Sequence, residues 1–183
     1  MDSTTSTILT VSIPAIISIL GFIVTYMSMK KSFQHELRQQ KVNIQLEKMS
    51  VVPYEVLKFM QDLIDSGKNG RKISEAEIIR RMNELYTTIF AYGSPAAIAI
   101  LSSMQSENYI NATIPQNQNK YRMMCYYILL AVQIRFDITG QIITADKWFK
   151  MRLTDYDSNR NEISQANNKL VEELSLSKEF LIN

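Results

Sequence analysis

Few side chains in this sequence are suited to chemistry, and their spacing sets narrow limits. His35 is the only histidine and Cys125 the only cysteine. A zinc site needs several nitrogen or sulfur ligands, so a single histidine with no cysteine beside it does not build one. Cys125 sits among apolar neighbours, with Arg122 one turn earlier. A nucleophilic thiolate needs a basic partner, and no histidine accompanies it, so Cys125 reads as a buried structural thiol. The same shortage argues against Ser-His-Asp and Cys-His machinery. The chain has no P-loop, no glycine-rich dinucleotide turn and no metal-ligand spacing. The reading is a protein that is not an enzyme, with no catalytic residue, no cofactor and no metal.

Two charged constellations remain. Arg135 and Asp137 stand where the most apolar helix emerges, and Arg152 and Asp155 fall on a short aromatic helix expected opposite. The four read first as a structural ion-pair network tying two helices together. The alternative is an anion or partner pocket built on Arg135 and Arg152. Arg80 and Arg81, with Glu77 and Glu84, have the spacing of i,i+3 and i,i+4 pairs along a solvated helix face.

The elements that position these groups are helical. Five glycines and four prolines in 183 residues are too few for a turn-rich β-fold, and no segment alternates with period two. Pro53 opens a helix to about Ser66, with Val56, Met60, Leu63 and Ile64 on one face, and glycines from Gly67 to Gly70 end it. Ser74 and Glu77 form a capping box for a helix burying Ile79, Met82, Leu85, Tyr86 and Ile89, which stops at Tyr92-Gly93. Ser94-Pro95 starts a small apolar helix running to about Met104, and Asn111 to Asn119 reads as a polar loop. A helix from about Lys120 to Asp137 is the centre of the domain. Its uncharged part, Met123 to Ile134, is too short for a membrane span and reads as core. Thr144 caps a short helix carrying Trp148 and Phe149, and an Asn-rich, peripheral helix runs from about Arg160 to Lys178.

Ahead of all this, Ile8 to Met29 has no charged side chain. As a helix it reaches about 33 Å, against a hydrocarbon core of roughly 30 Å, and predicts a transmembrane anchor. The stretch before it is acidic rather than basic and no small-residue cleavage site follows, so a removed signal peptide is the poorer reading. Lys30, Lys31, Arg38 and Lys41 flank one side and are expected at the lipid surface. They place the N-terminus outside and the bulk of the chain in the cytoplasm. Ser18, Gly21, Thr25 and Ser28 share a face on which a second copy is expected to pack.

Composition fits this layout. The formal net charge of +2 is too small for a nucleic-acid footprint, and one cysteine excludes an internal disulfide. Ile89-Phe90-Ala91-Tyr92-Gly93-Ser94 and Ile134-Arg135-Phe136-Asp137, with Gly140 following, resemble segments of small uncharacterised bacterial proteins. Those proteins pair an N-terminal span with a cytosolic helical domain, and the resemblance implies that layout and no catalytic residue.

The fold class expected is all-α: a span at 8–29 after a short outer segment at 1–7, a helical stalk at 30–52, and a cytosolic bundle at 53–183 of about five to six helices. The function expected is a membrane-anchored, non-catalytic interaction or regulatory module, part of a bacterial multiprotein or defence-type system. Its partners are the lipid bilayer and another protein. The alternative is a helical enzyme or effector acting on a phosphorylated substrate through the arginine–aspartate cluster.

Overall fold

The computed structural model describes residues 3–69, 73–113 and 119–183, with side chains described at 18, 20–66, 73–113, 119 and 121–183. The described residues form helices and short connections and contain no strand, so the protein is all-α. The chain divides into two compact units, Met1–Ile44 and Gln45–Asn183.

The first unit is helix α1 (Ser3–Ser50), whose last turns, from Gln45, belong to the second unit. No glycine or proline interrupts the sequence from Phe22 to Val52, which leaves the helix nothing to break on. Among the described residues no helix is long and apolar enough to cross a membrane. This corrects the expected single-pass localisation with its outer N-terminus and cytoplasmic domain. Past Met29 the helix turns charged, with Lys30, Lys31, Glu36, Arg38 and Lys41, so that part of it offers no apolar length to a bilayer. The side chains of residues 8–17 and 19, Pro14 among them, lie outside the described residues.

The second unit continues through α2 (Val52–Asn69), α3 (Glu75–Tyr92), α4 (Pro95–Thr113), α5 (Lys120–Thr139), α6 (Ala145–Arg152) and α7 (Tyr156–Glu173) to a 3₁₀ turn at Lys178–Phe180. Local chemistry sets most of the boundaries. The Ser74 hydroxyl accepts from Glu77 N at 3.2 Å and opens α3. The reciprocal half of the expected capping box does not form, because the Glu77 carboxylate is taken by Arg80 and Arg81. Ser94 accepts from Ala97 N at 3.1 Å ahead of Pro95. At Gly93 a Cβ would lie 2.5 Å from the Ile89 carbonyl oxygen, so only glycine lets the chain leave α3 there. Gly140 closes α5 in the left-handed region, φ 66°, its N–H donating to Phe136 O.

Several boundaries differ from expectation. Helix α2 runs through Gly67 to Asn69, past the stop expected at about Ser66. Helix α4 runs nine residues past Met104, to Thr113. The polar stretch Gln105-Ser106-Glu107-Asn108 reads as an ending, yet contains no glycine or proline, and glutamine and glutamate propagate helix well. Asn111–Thr113 are therefore helical, while 114–118 and Gly70 lie outside the described residues. Helix α7 starts earlier and stops earlier than expected, at Glu173, and Leu174 to Asn183 fold back against the unit.

Helix α5 packs against α2, α4, α6 and α7. Ile128, Leu129 and Leu130 are successive and all buried, which a helix achieves only when neighbours cover several of its sides. Each such side chain contributes about 1.5–3 kcal/mol by leaving water. Val52, Val56, Phe59 and Met60 of α2 and Leu85 and Ile89 of α3 line the same core, whereas Ile79, expected inside, is exposed. Ile128 is only 1% exposed, so Ile128→Asp places a carboxylate there with no partner. We expect it to lose several kcal/mol, comparable to the whole stability of a domain, and to abolish the cooperative melt followed by circular dichroism. An unchanged melt would place the core elsewhere.

Candidate functional site

A heavily bonded polar group among the described residues is Arg122, in the first turn of α5. Asn119 sets that turn, its side-chain oxygen accepting from Tyr121 N and Arg122 N at 3.0 and 3.1 Å. From there the Arg122 Nε donates to Glu107 of α4 at 2.7 Å and Nη2 to Glu173 of α7 at 2.6 Å. The Tyr126 hydroxyl donates to Glu107 at 3.0 Å and lies 2.8 Å from Ser103 Oγ, and the Arg122 guanidinium lies over the Tyr126 ring. Arg122 and Glu107 are each 19% exposed, and Glu173 is 41% exposed. Burial opposes the Arg122 charge, but hydrogen bonds to Glu173 and Glu107 outweigh it and hold its pKa above the ordinary value. A cavity of about 600 Å³ beside it is lined also by Glu162, Gln165 and Lys169. With two carboxylates already on the guanidinium, this is a clamp joining three helices and not an open anion hole.

Cys125 lies one turn further in, fully buried, its thiol 3.8 Å from Ile163 O. Burial pushes its pKa up to about 12, only partly offset by Arg122. A thiol so shifted stays protonated and is a poor nucleophile. Burial, with Tyr109 adding to it, raises Tyr86 to about 12 as well.

The residues expected to form a cluster are placed apart from one another's charges. Arg135, Asp137, Arg152 and Asp155 are all exposed. Asp137 accepts from Gln133 at 2.8 Å and Asp155 from Asn159 at 2.8 Å. No ion pair joins any of the four among the described residues. This corrects the ion-pair network expected there: α5 is open to solvent at its C-terminal end, so Arg135 gains more from water than from a fixed partner. The second constellation does form. Arg80 bonds Glu77 and Glu84, and Arg81 bonds Glu77 while also reaching Asp62 of α2 at 2.6 Å. Those two arginines hold the Glu77 carboxyl at about 2. On α1, Ser18, Gly21, Thr25 and Ser28 are exposed, as are Lys30, Lys31, Arg38 and Lys41. His35 is exposed there too, and among the described residues no group of histidine, cysteine and acidic side chains is placed to hold a metal.

The feature that residue motifs did not point to is a cleft of about 760 Å³ between α3 and α4. Tyr86, Phe90, Ile98, Leu101 and Tyr109 line it, with Thr87, Ala91 and Ser102 between them and no charged side chain. Phe90 is 77% and Tyr109 67% exposed. The Tyr86 hydroxyl donates to Gln105 and bridges the two helices behind the cleft. A second depression of about 440 Å³ shares Tyr86, Gln105 and Tyr109 and extends to Ile79 and Met82. The sequence signal was the aromatic pair itself: Phe90 falls off the buried face of α3, and Tyr109 follows the point where α4 was expected to end.

Comparison of the chain with protein-family models, curated proteins and solved structures gives no match.

Arg122→Ala strands the Glu107 carboxylate at a mostly buried position, and Glu173 at a more exposed one. We expect a loss of about 2–4 kcal/mol, below the full buried-pair figure because Glu173 is screened. Arg135→Ala should stay within about 0.5 kcal/mol, as surface changes do. Urea melts of the two variants decide it, and equal losses would refute the assignment of the clamp. Cys125 and Tyr86 fix a pH dependence. Both have folded pKa values above their ordinary 9.0 and 10.0, so their contribution is complete below about pH 9 and is lost as pH rises toward 12. Stability should therefore fall across that window, and Cys125→Ala should flatten the slope. A stability independent of pH from 8 to 11 would contradict the burial of both groups.

Proposed function

We propose that this protein is a non-catalytic interaction or regulatory module that presents a helical bundle to another protein. The observation that supports the reading is the α3–α4 cleft, where Phe90 and Tyr109 stand out from an uncharged, largely apolar wall. Large exposed apolar surface on a folded chain usually marks a place where something else binds. Aromatic side chains at the rim of a pocket are the type that carries most binding energy when covered. The polar groups that would otherwise attract a catalytic reading are spoken for: Arg122 holds two carboxylates, and the Cys125 thiol is buried and protonated. The expected alternative, an enzyme acting on a phosphorylated substrate through Arg135 and Arg152, has no geometry in its favour, since both side chains are solvated and lie outside the clefts described above.

The test is a paired comparison on the intact chain. Phe90→Glu and Tyr109→Glu place charges in the cleft at exposed positions and should leave the melting temperature within about 2 °C, in keeping with surface changes. Each should reduce co-purification of the bound protein by at least tenfold, whereas Met151→Glu, exposed elsewhere on α6, should not. A partner retained by both cleft variants would overturn the reading.

A further inference from the structure

The face of α7 that meets the segment after it is built to hold a peptide by its main chain. Asn168 reads one residue twice, its side-chain oxygen accepting from Ile182 N at 2.8 Å and its amide donating to Ile182 O at 2.9 Å. Ser164 also donates to Ile182 O at 2.9 Å, Asn167 donates to Phe180 O at 3.0 Å, and Arg160 donates to Asn183 O. Phe180 and Ile182 are buried while Glu179 is exposed, and the chain is extended at Leu181, φ −65° and ψ 142°. Main-chain bonds that ignore side-chain identity, with pockets for residues two apart, are the way extended peptides are recognised.

Ser175, φ 51°, closes α7 in a left-handed turn in which Leu176 N–H donates to Val171 O at 2.9 Å, an ordinary helix ending that delivers the segment to this face. One further observation shows that the present occupant leaves part of the face unused. Asn167 is fully buried, yet its side-chain oxygen has no hydrogen-bond partner. The groove thus has an acceptor that the resident segment leaves unused.

We propose that this face of α7 is a peptide-binding groove for extended segments with an aromatic-x-aliphatic pattern. Residues 178–183 are its occupant in cis, and a matching segment of another polypeptide exchanges for them. The site is separate from the α3–α4 cleft and stands or falls independently of it.

The experiment uses the intact chain and a fluorescent peptide, Leu-Ser-Lys-Glu-Phe-Leu-Ile-Asn, that repeats 176–183. Anisotropy should show saturable binding, at least tenfold tighter to a Phe180→Ala chain because its own segment competes less. Asn168→Ala should abolish binding, and a peptide with alanine for phenylalanine should bind at least tenfold more weakly. Amide exchange on the unaltered chain gives a readout that does not depend on a variant folding. The Ile182 amide should exchange at least tenfold faster than that of Leu129, since the segment leaves the groove while α5 stays packed. A folded Phe180→Ala chain that does not bind the peptide overturns the proposal. So does an Asn168→Ala chain that binds it undiminished, or an Ile182 amide that exchanges only together with α5.

Discussion

The second unit depends on one constraint: α5 is apolar on most of its sides and has to be covered on all of them. A helix with a single apolar stripe needs one neighbour, but Cys125, Tyr126, Ile128, Leu129, Leu130 and Ile134 point around the whole circumference. Helices α2, α4, α6 and α7 supply the cover, each contributing buried side chains to the core. The same constraint governs the polar groups. At the N-terminal turn of α5 the covering helices α4 and α7 converge on Arg122, so a charge there must be matched from both, as Glu107 and Glu173 do. At the C-terminal end the cover runs out, and Arg135 is left in water.

How much of this was legible follows from the range of each signal. Caps and stops act over three or four residues, so Ser74, Ser94 and Gly140 could be read directly. The central helix was legible because an uncharged run of its length has few other destinations. The Arg122 clamp was not. Its partners lie 15 and 51 residues away, and no periodicity links positions so distant. Adjacency to the apolar run favoured Arg135 and Asp137 instead, but adjacency along the chain says nothing about which end of a helix its neighbours reach. The Asn-rich middle of α7 was misread for a related reason. Asparagine is mostly a surface residue, and only the fold shows that Asn167 and Asn168 face a main chain that needs donors and acceptors. The long apolar stretch of α1 was legible as helix, while the membrane span drawn from it is not among the described residues.

The α3–α4 cleft follows from the way α3 is attached. It lies on the flank of the cover, reaching α5 at Met82, whose sulfur is 4.0 Å from the Tyr127 hydroxyl. Polar ties hold it to its neighbours as well, Arg81 to Asp62 of α2 and Tyr86 to Gln105 of α4. Leu85 and Ile89 satisfy the inner face, and Phe90, one residue on, has turned about 100° away from it. Among the described residues of the second unit no further helix covers that direction, and Phe90 stays exposed. The groove between α3 and α4 is therefore left with aromatic walls and an open mouth. Small side chains at Thr87, Ala91 and Ser102 keep it from being filled by the chain itself.

Exposing Phe90 and Tyr109 costs the isolated chain burial that each ring would otherwise gain, at about 25 cal/mol for each square ångström. A polar residue at either position would remove that cost without disturbing the core, because both side chains already point outward. The Arg122 clamp offers a contrast. There Nε and Nη2 each hold a carboxylate while Nη1 is buried without a partner, so most of the charge is matched from within the bundle. The cleft is the opposite case, an apolar surface that the described side chains leave open to solvent. Between a site held mostly by its own side chains and one that stays open at a cost, the open one is where the proposed interaction rests.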